Sequence, residues 1–174
     1  MPKDEELIKP FARAFIGLGS NIEPRLDYLR SAIKALSELG EIVSISGIYE
    51  TAPVGGVQQH DFLNAVAELK TMLNPVDLVQ HLKAIESRIG RVERPRWHER
   101  EIDLDLLFYN DTILRIPGLT IPHAELHKRA FVLVPMMEIA PNFVHPVFER
   151  TVPDLLNSVE ALGVRKAELT LNIT

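Results

Sequence analysis

The order of strand-type and helix-type apolar patterns constrains the fold of this chain more than any other feature of its sequence. Residues 12–18 form an apolar run that predicts a strand. Apolar residues then recur at helical spacing over residues 26–39, and Gly40 ends this first predicted helix. Strand patterns follow over residues 42–50 and 62–71, separated by a loop that is rich in proline, glycine and glutamine.

A second predicted helix and a further strand follow. Asn74 and Pro75 begin a second predicted helix, which Gly90 ends, and an arginine-rich loop then leads into a strand that carries Asp103 and Asp105. The resulting order is βαββαβ. This order is typical of the ferredoxin-like core, an α+β fold in which helices pack on an antiparallel sheet.

The rest of the chain predicts C-terminal additions to this core. These are a helix over residues 128–138, a weaker helical pattern near residues 154–161, and a final strand over residues 165–172. Residues 1–10 are expected to form a loose leader. Residues 11–174 are expected to form a single domain, since a chain of this length suits one core.

Composition excludes several classes of function. The chain has no cysteine, so disulfides, thiolate metal sites and cysteine nucleophiles are absent, which fits a reducing cytoplasm. The net charge of −5 gives no general basic surface for nucleic acid. No apolar run reaches the length that a membrane span requires. These features favour a cytoplasmic protein whose partners are small molecules.

Positive charge is concentrated in one loop. Five arginines between Arg88 and Arg100 stand against two glutamates, a net charge of +3. The strand that follows carries Asp103 and Asp105 on one face, because side chains two residues apart in a strand point the same way. Arginines bind phosphate oxygens and carboxylates bind magnesium, so the two together predict a site for a magnesium–nucleotide complex and phosphoryl transfer.

An Asp-x-Asp pair taken alone is more often a solvated strand face than a metal site, and only the adjacent arginine loop reverses that preference. The same alternation predicts an apolar opposite face made of Ile102, Leu104, Leu106 and Phe108.

Two further groups of residues have both a functional and a structural interpretation. Phe62 and Asn64 share a strand face, where they can stack on and read a flat heteroaromatic ring, or else be a core residue and an edge cap. His123 and Arg129 can bind phosphate together, although such a histidine is more often structural. Trp97 lies in the most polar segment of the chain, so it is either a stacking residue or part of a lid that closes on ligands.

Taken together, the sequence resembles the 6-hydroxymethyl-7,8-dihydropterin pyrophosphokinase family. The matching motifs follow one another in order over residues 15–146. They are Ile-Gly-Leu-Gly-Ser-Asn at 16–21, Tyr-Glu-Thr-Ala-Pro-Val-Gly at 49–55, Phe-Leu-Asn at 62–64, Arg-Ile-Gly-Arg at 88–91, Arg-Trp at 96–97, Arg-Glu-Ile-Asp-Leu-Asp at 100–105, Ile-Pro-His at 121–123, and Arg-Ala-Phe at 129–131 running on to Glu-Ile-Ala-Pro at 138–141.

This resemblance implies an enzyme of folate biosynthesis that transfers the pyrophosphoryl group of ATP to the hydroxymethyl group of the pterin and releases AMP. It implies two magnesium ions, ATP as the co-substrate, and a monomer. The alternative from another class is a non-catalytic module of ferredoxin-like fold that binds a small metabolite.

The resemblance also implies a role for individual residues. Asp103 and Asp105 would hold the magnesium ions, and Arg91 and Arg100 would complete the catalytic group. The implied pterin-binding residues are Thr51, Pro53, Val54, Phe62, Asn64, Trp97 and Phe131. The implied ATP-binding residues are Glu86, Arg91, Trp97, Arg100, Leu106, Thr120, His123 and Arg129.

The arginine loop departs from the family pattern. His98 and Glu99 stand where the family usually has Gly-Pro after the tryptophan, and the loop is one residue shorter. The resemblance therefore leaves open whether Glu93 or Arg94 takes the position of the family's second loop arginine. These departures affect the expected lid motion and nucleotide affinity rather than the reaction.

Overall fold

The structure is a computed structural model, and it describes residues 10–53, 58–161 and 163–171. The expected leader therefore lies almost wholly outside the described residues, and so does Val54. The expectation of one domain over residues 11–174 stays a prediction.

The described residues form ten strands and four α-helices. The first part of the chain contains β1 (Ala12–Ser20), α1 (Arg25–Leu36), β2 (Glu41–Ile45), β3 (Tyr49–Thr51), β4 (Phe62–Thr71), α2 (Pro75–Ile89) and β5 (Asp103–Tyr109). The second part contains β6 (Leu114–Ile116), β7 (Leu119–Ile121), a 3₁₀ helix (Leu126–Lys128), α3 (Ala130–Ile139), β8 (Val144–His145), β9 (Arg150–Thr151), α4 (Val152–Leu156) and β10 (Arg165–Lys166).

The main sheet has the strand order β10-β3-β4-β1-β5, and β2 also pairs with β4. Every neighbouring pair in this sheet is antiparallel. This arrangement confirms the predicted combination of helices with an antiparallel sheet. Strand β1 lies inside the sheet, between β4 and β5.

Each face of the sheet carries its own hydrophobic core. Helices α1 and α2 cover the first face, where Ile16 and Leu18 of β1 are buried with Leu29 and Leu82. Helix α3 covers the second face, where Phe15, the residue before Ile16, is buried with partners from α3. Because successive β1 side chains point to opposite faces, one strand contributes to both cores.

Helix α2 begins and ends as its sequence predicts. The Asn74 side chain accepts a hydrogen bond from the Asp77 N–H at 2.9 Å, and Pro75 occupies the first turn, where its missing N–H is not needed. Gly90 ends the helix with a φ of 120°, a conformation that residues with a side chain rarely adopt.

The predicted apolar face of β5 is wrong at Phe108. Phe15 pairs with Phe108, but the next β1 residue, Ile16, pairs with Leu106, so Leu107 is an extra residue in a β-bulge. The bulge shifts the alternation by one position. Phe108 therefore packs in the second core, away from the face of Leu104 and Leu106.

Other boundaries differ from the sequence prediction. The strand expected over residues 42–50 is divided in two at Ser46, whose hydroxyl accepts from the Val66 N–H at 2.9 Å in place of a backbone partner. The helix expected near residues 154–161 begins earlier, because Thr151 caps it. The final strand shortens to Arg165–Lys166. In the described ranges, no helix is both long and apolar enough to cross a membrane.

Candidate functional site

A large cleft of about 1360 Å³ lies against the sheet and is lined by residues from both of its faces. It is bordered by β1, β4, β5, α2, the arginine loop and the start of α3. It brings together most of the predicted site residues, namely Thr51, Phe62, Asn64, Glu86, Arg91, Trp97, Arg100, Asp103, Asp105, Leu106, Thr120, His123, Arg129 and Phe131. Pro53 is described by the structure but is not among the lining residues.

Strand order divides the cleft into two halves. The charged half contains Glu86, Arg91, Arg100, Asp103 and Asp105 and lies along β5. The aromatic half contains Thr51, Phe62, Asn64 and Phe131 and lies along β3, β4 and the start of α3. Strand β1 runs between the halves, since it pairs with β4 on one side and β5 on the other.

The two aspartates face a stretch of β1 that has no side chains on the cleft side. Gly19 pairs with Asp103, and Gly17 pairs with Asp105. Side chains that are direct neighbours across a sheet normally fill this space. Because glycine has none, the two carboxylates have open room above the sheet.

The two aspartates of the charged half have different electrostatic surroundings. Asp103 accepts a hydrogen bond from Arg91 at 3.2 Å and another from Arg100. Burial raises the pKa of Asp105 to about 6, the negative charge of Asp103 adds to the rise, and the guanidinium of Arg129 opposes it. The pair of aspartates therefore favours an additional positive charge in the cleft.

Glu86 adds a third carboxyl group from α2. Its Oε2 accepts from the Leu104 N–H at 2.9 Å, at the residue between the two aspartates. Burial raises the pKa of Glu86 to about 7, although the Leu104 hydrogen bond acts in the other direction. The Arg91 Nε is buried 3.8 Å from Glu86 Oε2 and makes no hydrogen bond with the described residues.

A partly buried ion pair closes the base of the arginine loop. Both terminal nitrogens of Arg94 bond to the Glu101 carboxylate at 2.8 Å. The Val92 N–H also bonds to this carboxylate, at 3.3 Å. Of the two candidates for the second loop position, Glu93 lines the cleft, while Arg94 is bound to Glu101.

Trp97 lies at the tip of the loop and is 39% exposed. The Arg96 guanidinium lies 4.5 Å from the centre of its ring. The Trp97 backbone has a φ of 69°, and its carbonyl accepts from Gln59 at 2.7 Å. The indole therefore lies beside the cleft and outside both cores, and its role toward a ligand stays a prediction.

The aromatic half is built by the pairing of β3 with β4. Thr51 pairs with Phe62, and the Asn64 amide donates to the Thr51 hydroxyl at 2.7 Å. Phe62 is partly exposed and lines the cleft, which favours the functional interpretation over a core role. A Cβ on Gly19 would lie 3.2 Å from Asn64 Oδ1 and 3.6 Å from the Phe62 ring, so this glycine leaves space beneath both side chains.

His123 enters the cleft with a defined tautomer. Its Nδ1 accepts from the Glu125 N–H at 3.2 Å, so the ring proton resides on Nε2 and can be donated. Burial, with a contribution from Arg129, lowers the pKa of His123 and keeps the ring neutral at neutral pH. The Arg129 guanidinium lies 5.6 Å from the centre of the Phe131 ring.

Sequence reasoning missed several lining residues. Lys83 and Ser87 lie on the cleft side of α2, and Ile116 and Gly118 reach the cleft from the β6–β7 hairpin. Lys83 could have been found from Glu86, three residues away, and Ser87 from Lys83, four residues away, because residues three or four apart share a helix face. The hairpin gave no comparable signal, since it has three-residue strands.

The chemistry of this cleft follows from its two halves. The charged half can bind an anion through arginines and a divalent cation through the aspartates. The aromatic half can hold a flat polar ring. A cleft with both can align two such ligands for a reaction between them.

Comparisons with known proteins agree with this geometry. The family model for 7,8-dihydro-6-hydroxymethylpterin-pyrophosphokinase matches residues 15–141. A protein of Aquifex aeolicus named 2-amino-4-hydroxy-6-hydroxymethyldihydropteridine pyrophosphokinase is 41% identical over 143 residues, which cover 82% of this chain and 89% of the relative. A protein of the same name from Haemophilus influenzae is 44% identical over 135 residues, covering 76% and 84%.

Solved structures show the same fold at lower identity. The wild-type HPPK-DHPS of Plasmodium falciparum with pterin and p-hydroxybenzoate has a TM-score of 0.68 and 19% identity. The match covers 86% of this chain and 43% of that chain, so this chain spans under half of the length of the solved protein. The same protein with pteroate has a TM-score of 0.69 at 18% identity, covering 85% and 42%.

Proposed function

This chain belongs to the 7,8-dihydro-6-hydroxymethylpterin-pyrophosphokinase family and is accordingly a diphosphotransferase, and we propose how its cleft carries out the reaction. The enzyme transfers the pyrophosphoryl group of ATP to the hydroxymethyl group of 6-hydroxymethyl-7,8-dihydropterin in folate biosynthesis. The observation that carries the assignment of residues is the joining of the charged and aromatic halves in one cleft. Membership in an enzyme family speaks against the alternative of a non-catalytic binding module.

The aspartate pair fits magnesium. Asp103 and Asp105 share a face with free space above them, and burial, together with the negative charge of Asp103, raises the pKa of Asp105. The described residues contain no group of three His, Cys, Asp or Glu side chains arranged around one metal position. Magnesium suits such a site, because it is commonly held by one or two carboxylates together with substrate phosphates and water. Two ions are proposed here, as the resemblance implies.

The charged half binds the triphosphate. Magnesium, when bound, would neutralise charge on the phosphate oxygens and orient them. Arg91 and Arg100 now pair with Asp103, and we assign them to phosphate oxygens once ATP is bound. His123 and Arg129 donate to further phosphate oxygens, and Leu106 and Thr120 line the remaining nucleotide surface.

The aromatic half binds the pterin. Phe62 and Phe131 are assigned to the two ring faces, and Asn64 with Thr51 to the polar ring edge. Pro53 and Val54 are also proposed to contact the pterin, and this proposal rests only on their closeness to Thr51 along the chain. This half holds the hydroxymethyl group toward the charged half, because only β1 separates the two.

The reaction is a direct displacement. The hydroxymethyl oxygen attacks the β-phosphorus of ATP and forms a new oxygen–phosphorus bond. The bond from that phosphorus to the oxygen bridging the α- and β-phosphates breaks, AMP leaves with that oxygen, and the hydroxyl proton is lost to solvent. Holding the reacting atoms in line can contribute roughly 7–11 kcal/mol, so no protein nucleophile is required.

The arginine loop is proposed to be a lid. Trp97 is exposed at its tip and lines the cleft, while the Arg94–Glu101 pair ties its base. Such a loop can close over both substrates and exclude water while its ends stay in place. Closure brings Trp97 and Arg100 onto the ligands.

The finer fold and the cellular setting are also proposals. The strand order β3-β4-β1-β5, with α1 and α2 on one face, supports a ferredoxin-like core. A monomer is proposed because the family resemblance implies one. A cytoplasmic location is supported by the use of ATP as co-substrate.

One incubation tests the reaction. The protein, ATP and magnesium are combined with and without the hydroxymethyl dihydropterin, and the nucleotides are separated. AMP formed only with pterin present is the expected result. ADP in its place would contradict attack on the β-phosphorus, and AMP formed without pterin would indicate hydrolysis.

A further inference from the structure

The C-terminal part of the chain adds a strand beside the aromatic half. In β10, Arg165 pairs with Glu50 and Lys166 pairs with Tyr49 of β3. The next residue, Ala167, donates its N–H to the Ile48 carbonyl at 2.8 Å. We name residues 164–167 the C-terminal clasp. The family match ends at residue 141, so it assigns no role to this segment.

The clasp completes a strand that is otherwise short. Strand β3 has three residues, and its far edge from β4 would present unpaired backbone groups without β10. Thr51, the last residue of β3, is the hydrogen-bond partner of Asn64 in the aromatic half. Pairing on both edges therefore fixes the strand that supplies this contact.

Side chains of the clasp reach the other walls of the aromatic half. Arg165 Nη2 lies 3.1 Å from Asp61 Oδ2, and Asp61 directly precedes Phe62. The Asp61 carbonyl also accepts from Arg25 at 2.9 Å, and the same Arg25 nitrogen lies 3.2 Å from Glu50. Asp61, the residue before Phe62, is thus held in place through both its side chain and its backbone.

Lys166 makes a second connection, to helix α3. Its Nζ lies 3.5 Å from Glu138 Oε1. The Glu138 carboxylate also accepts from the Tyr49 hydroxyl and from the Gly47 N–H, each at 2.8 Å. A Cβ on Gly47 would lie 2.8 Å from Lys166 Cε, so the glycine leaves room for the flexible end of this lysine. Helix α3 carries Phe131 at its other end.

The two ends of the C-terminal segment are themselves anchored. Gly163 and Val164 line the cleft, immediately before β10. Leu171 is buried in the first core, after the clasp. The clasp is therefore flanked by the cleft-lining residue Gly163 before it and by the core residue Leu171 after it.

We propose that the C-terminal clasp is a positioning element of the pterin site, which fixes Thr51 through β3, Phe62 through Asp61, and Phe131 through Glu138. This inference rests on the proposed assignment of the aromatic half to the pterin. The clasp residues Arg165 and Lys166 touch no substrate. They act through the residues they hold, so their loss weakens pterin binding and leaves ATP binding unchanged.

The test is a charge reversal with a matched control. Arg165→Glu places a carboxylate between Asp61 and the paired Glu50, and like charges at such positions repel. Arg30→Glu makes the same change at an exposed arginine of α1, which lies 3.9 Å from Asp27 and is remote from the clasp. Arg165→Lys keeps the charge and serves as the conservative variant.

Pterin affinity, ATP affinity, kcat and thermal unfolding are measured for each variant. For Arg165→Glu we expect the pterin dissociation constant to rise roughly fivefold, with ATP affinity and kcat within a factor of about two. Arg30→Glu and Arg165→Lys are expected to bind pterin as the wild type does. Ala167→Pro, which removes the N–H that bonds to Ile48, is expected to reproduce the pterin-selective loss.

Unchanged pterin affinity in Arg165→Glu would overturn the inference. Equal weakening of pterin and ATP binding would also overturn it, because that pattern indicates a general loss of structure. Failure of the wild type to bind pterin is a different result, since it contradicts the proposed function before any variant is compared.

Discussion

The charged and aromatic halves of the cleft are held together by opposite means. In the charged half, side chains balance one another, as Asp103 does with Arg91 and Arg100. In the aromatic half, backbone pairing of β3 with β4 fixes the side chains, and the Thr51–Asn64 hydrogen bond completes them. The charged half therefore has to exchange its ion pairs for ligand contacts, while the aromatic half is formed in advance.

This difference has an energetic consequence. Binding to a preformed site avoids the entropy of ordering its side chains. Exchange of ion pairs for phosphate contacts costs little when the charges are nearly equivalent, and it allows the arginines to act where charge develops in the transition state. Removing charged residues should thus affect turnover most, and reshaping the aromatic half should affect pterin affinity.

The largest effect is expected for the aspartates. Asp103→Ala and Asp105→Ala should each lower kcat on the order of 10³-fold, since electrostatic stabilisation of the transferred group is lost. The thermal unfolding temperature of Asp105→Ala should match or exceed that of the wild type, because burial of this carboxylate is unfavourable. Asp111→Ala, at an exposed turn, is the control. Retained activity in either cleft variant would contradict the metal assignment.

Substitution of Arg100 should affect turnover more than ATP binding. Arg100→Ala should lower kcat by roughly 10²-fold and weaken ATP binding much less, because its strongest contacts are expected in the transition state. Arg100→Lys keeps the charge but loses the planar fork, so it should recover only part of the activity. Steady-state kinetics with both substrates varied provides the measurement. An unchanged kcat in Arg100→Ala would refute this role.

The aromatic half can be tested through the two cleft glycines of β1. Gly19→Ala places a methyl group 3.2 Å from Asn64 Oδ1, and we expect it to weaken pterin binding roughly fivefold as that amide shifts. Gly17→Ala meets only the Leu107 side chain, at 3.4 Å or more, and should leave pterin affinity unchanged. Equal effects of the two substitutions would show that the aromatic half is not preformed around Gly19.

The smallest effect is expected from salt. Raising the ionic strength from about 0.05 M to about 0.5 M shortens the screening length and should weaken ATP binding several-fold. Pterin binding should change by less than about twofold, because Phe62 and Asn64 bind through stacking and neutral hydrogen bonds. Titration calorimetry of each ligand at both salt concentrations measures this. A similar salt dependence for both ligands would remove the distinction between the halves.

The sequence predicted the elements that depend on local patterns. Strand β4 and helix α2 agree with their predicted bounds. Strand β4 is a continuous run that is buried from Leu63 to Leu69, and the caps Asn74 and Gly90 delimit α2. The aspartate pair was found for the same reason, since a spacing of two residues settles which side chains share a strand face.

Features that depend on distant partners were missed. The β-bulge at Leu107 arises only when β5 pairs with β1, and it moved Phe108 to the second core. The β6–β7 hairpin carries too few residues for a pattern to appear, and the final strand expected over residues 165–172 shortens to Arg165–Lys166. The division of the strand at Ser46 results from a hydrogen bond to Val66, twenty residues away.

The sequence by itself determined which chemical groups the protein has and the order in which they occur, including the arginine loop and Asp103 with Asp105. Tertiary structure decided that Gly17 and Gly19 lie opposite those aspartates, and that Arg165 reaches the residue before Phe62. The physical reason is that strand register is set by packing between residues far apart in the chain, which no local spacing encodes.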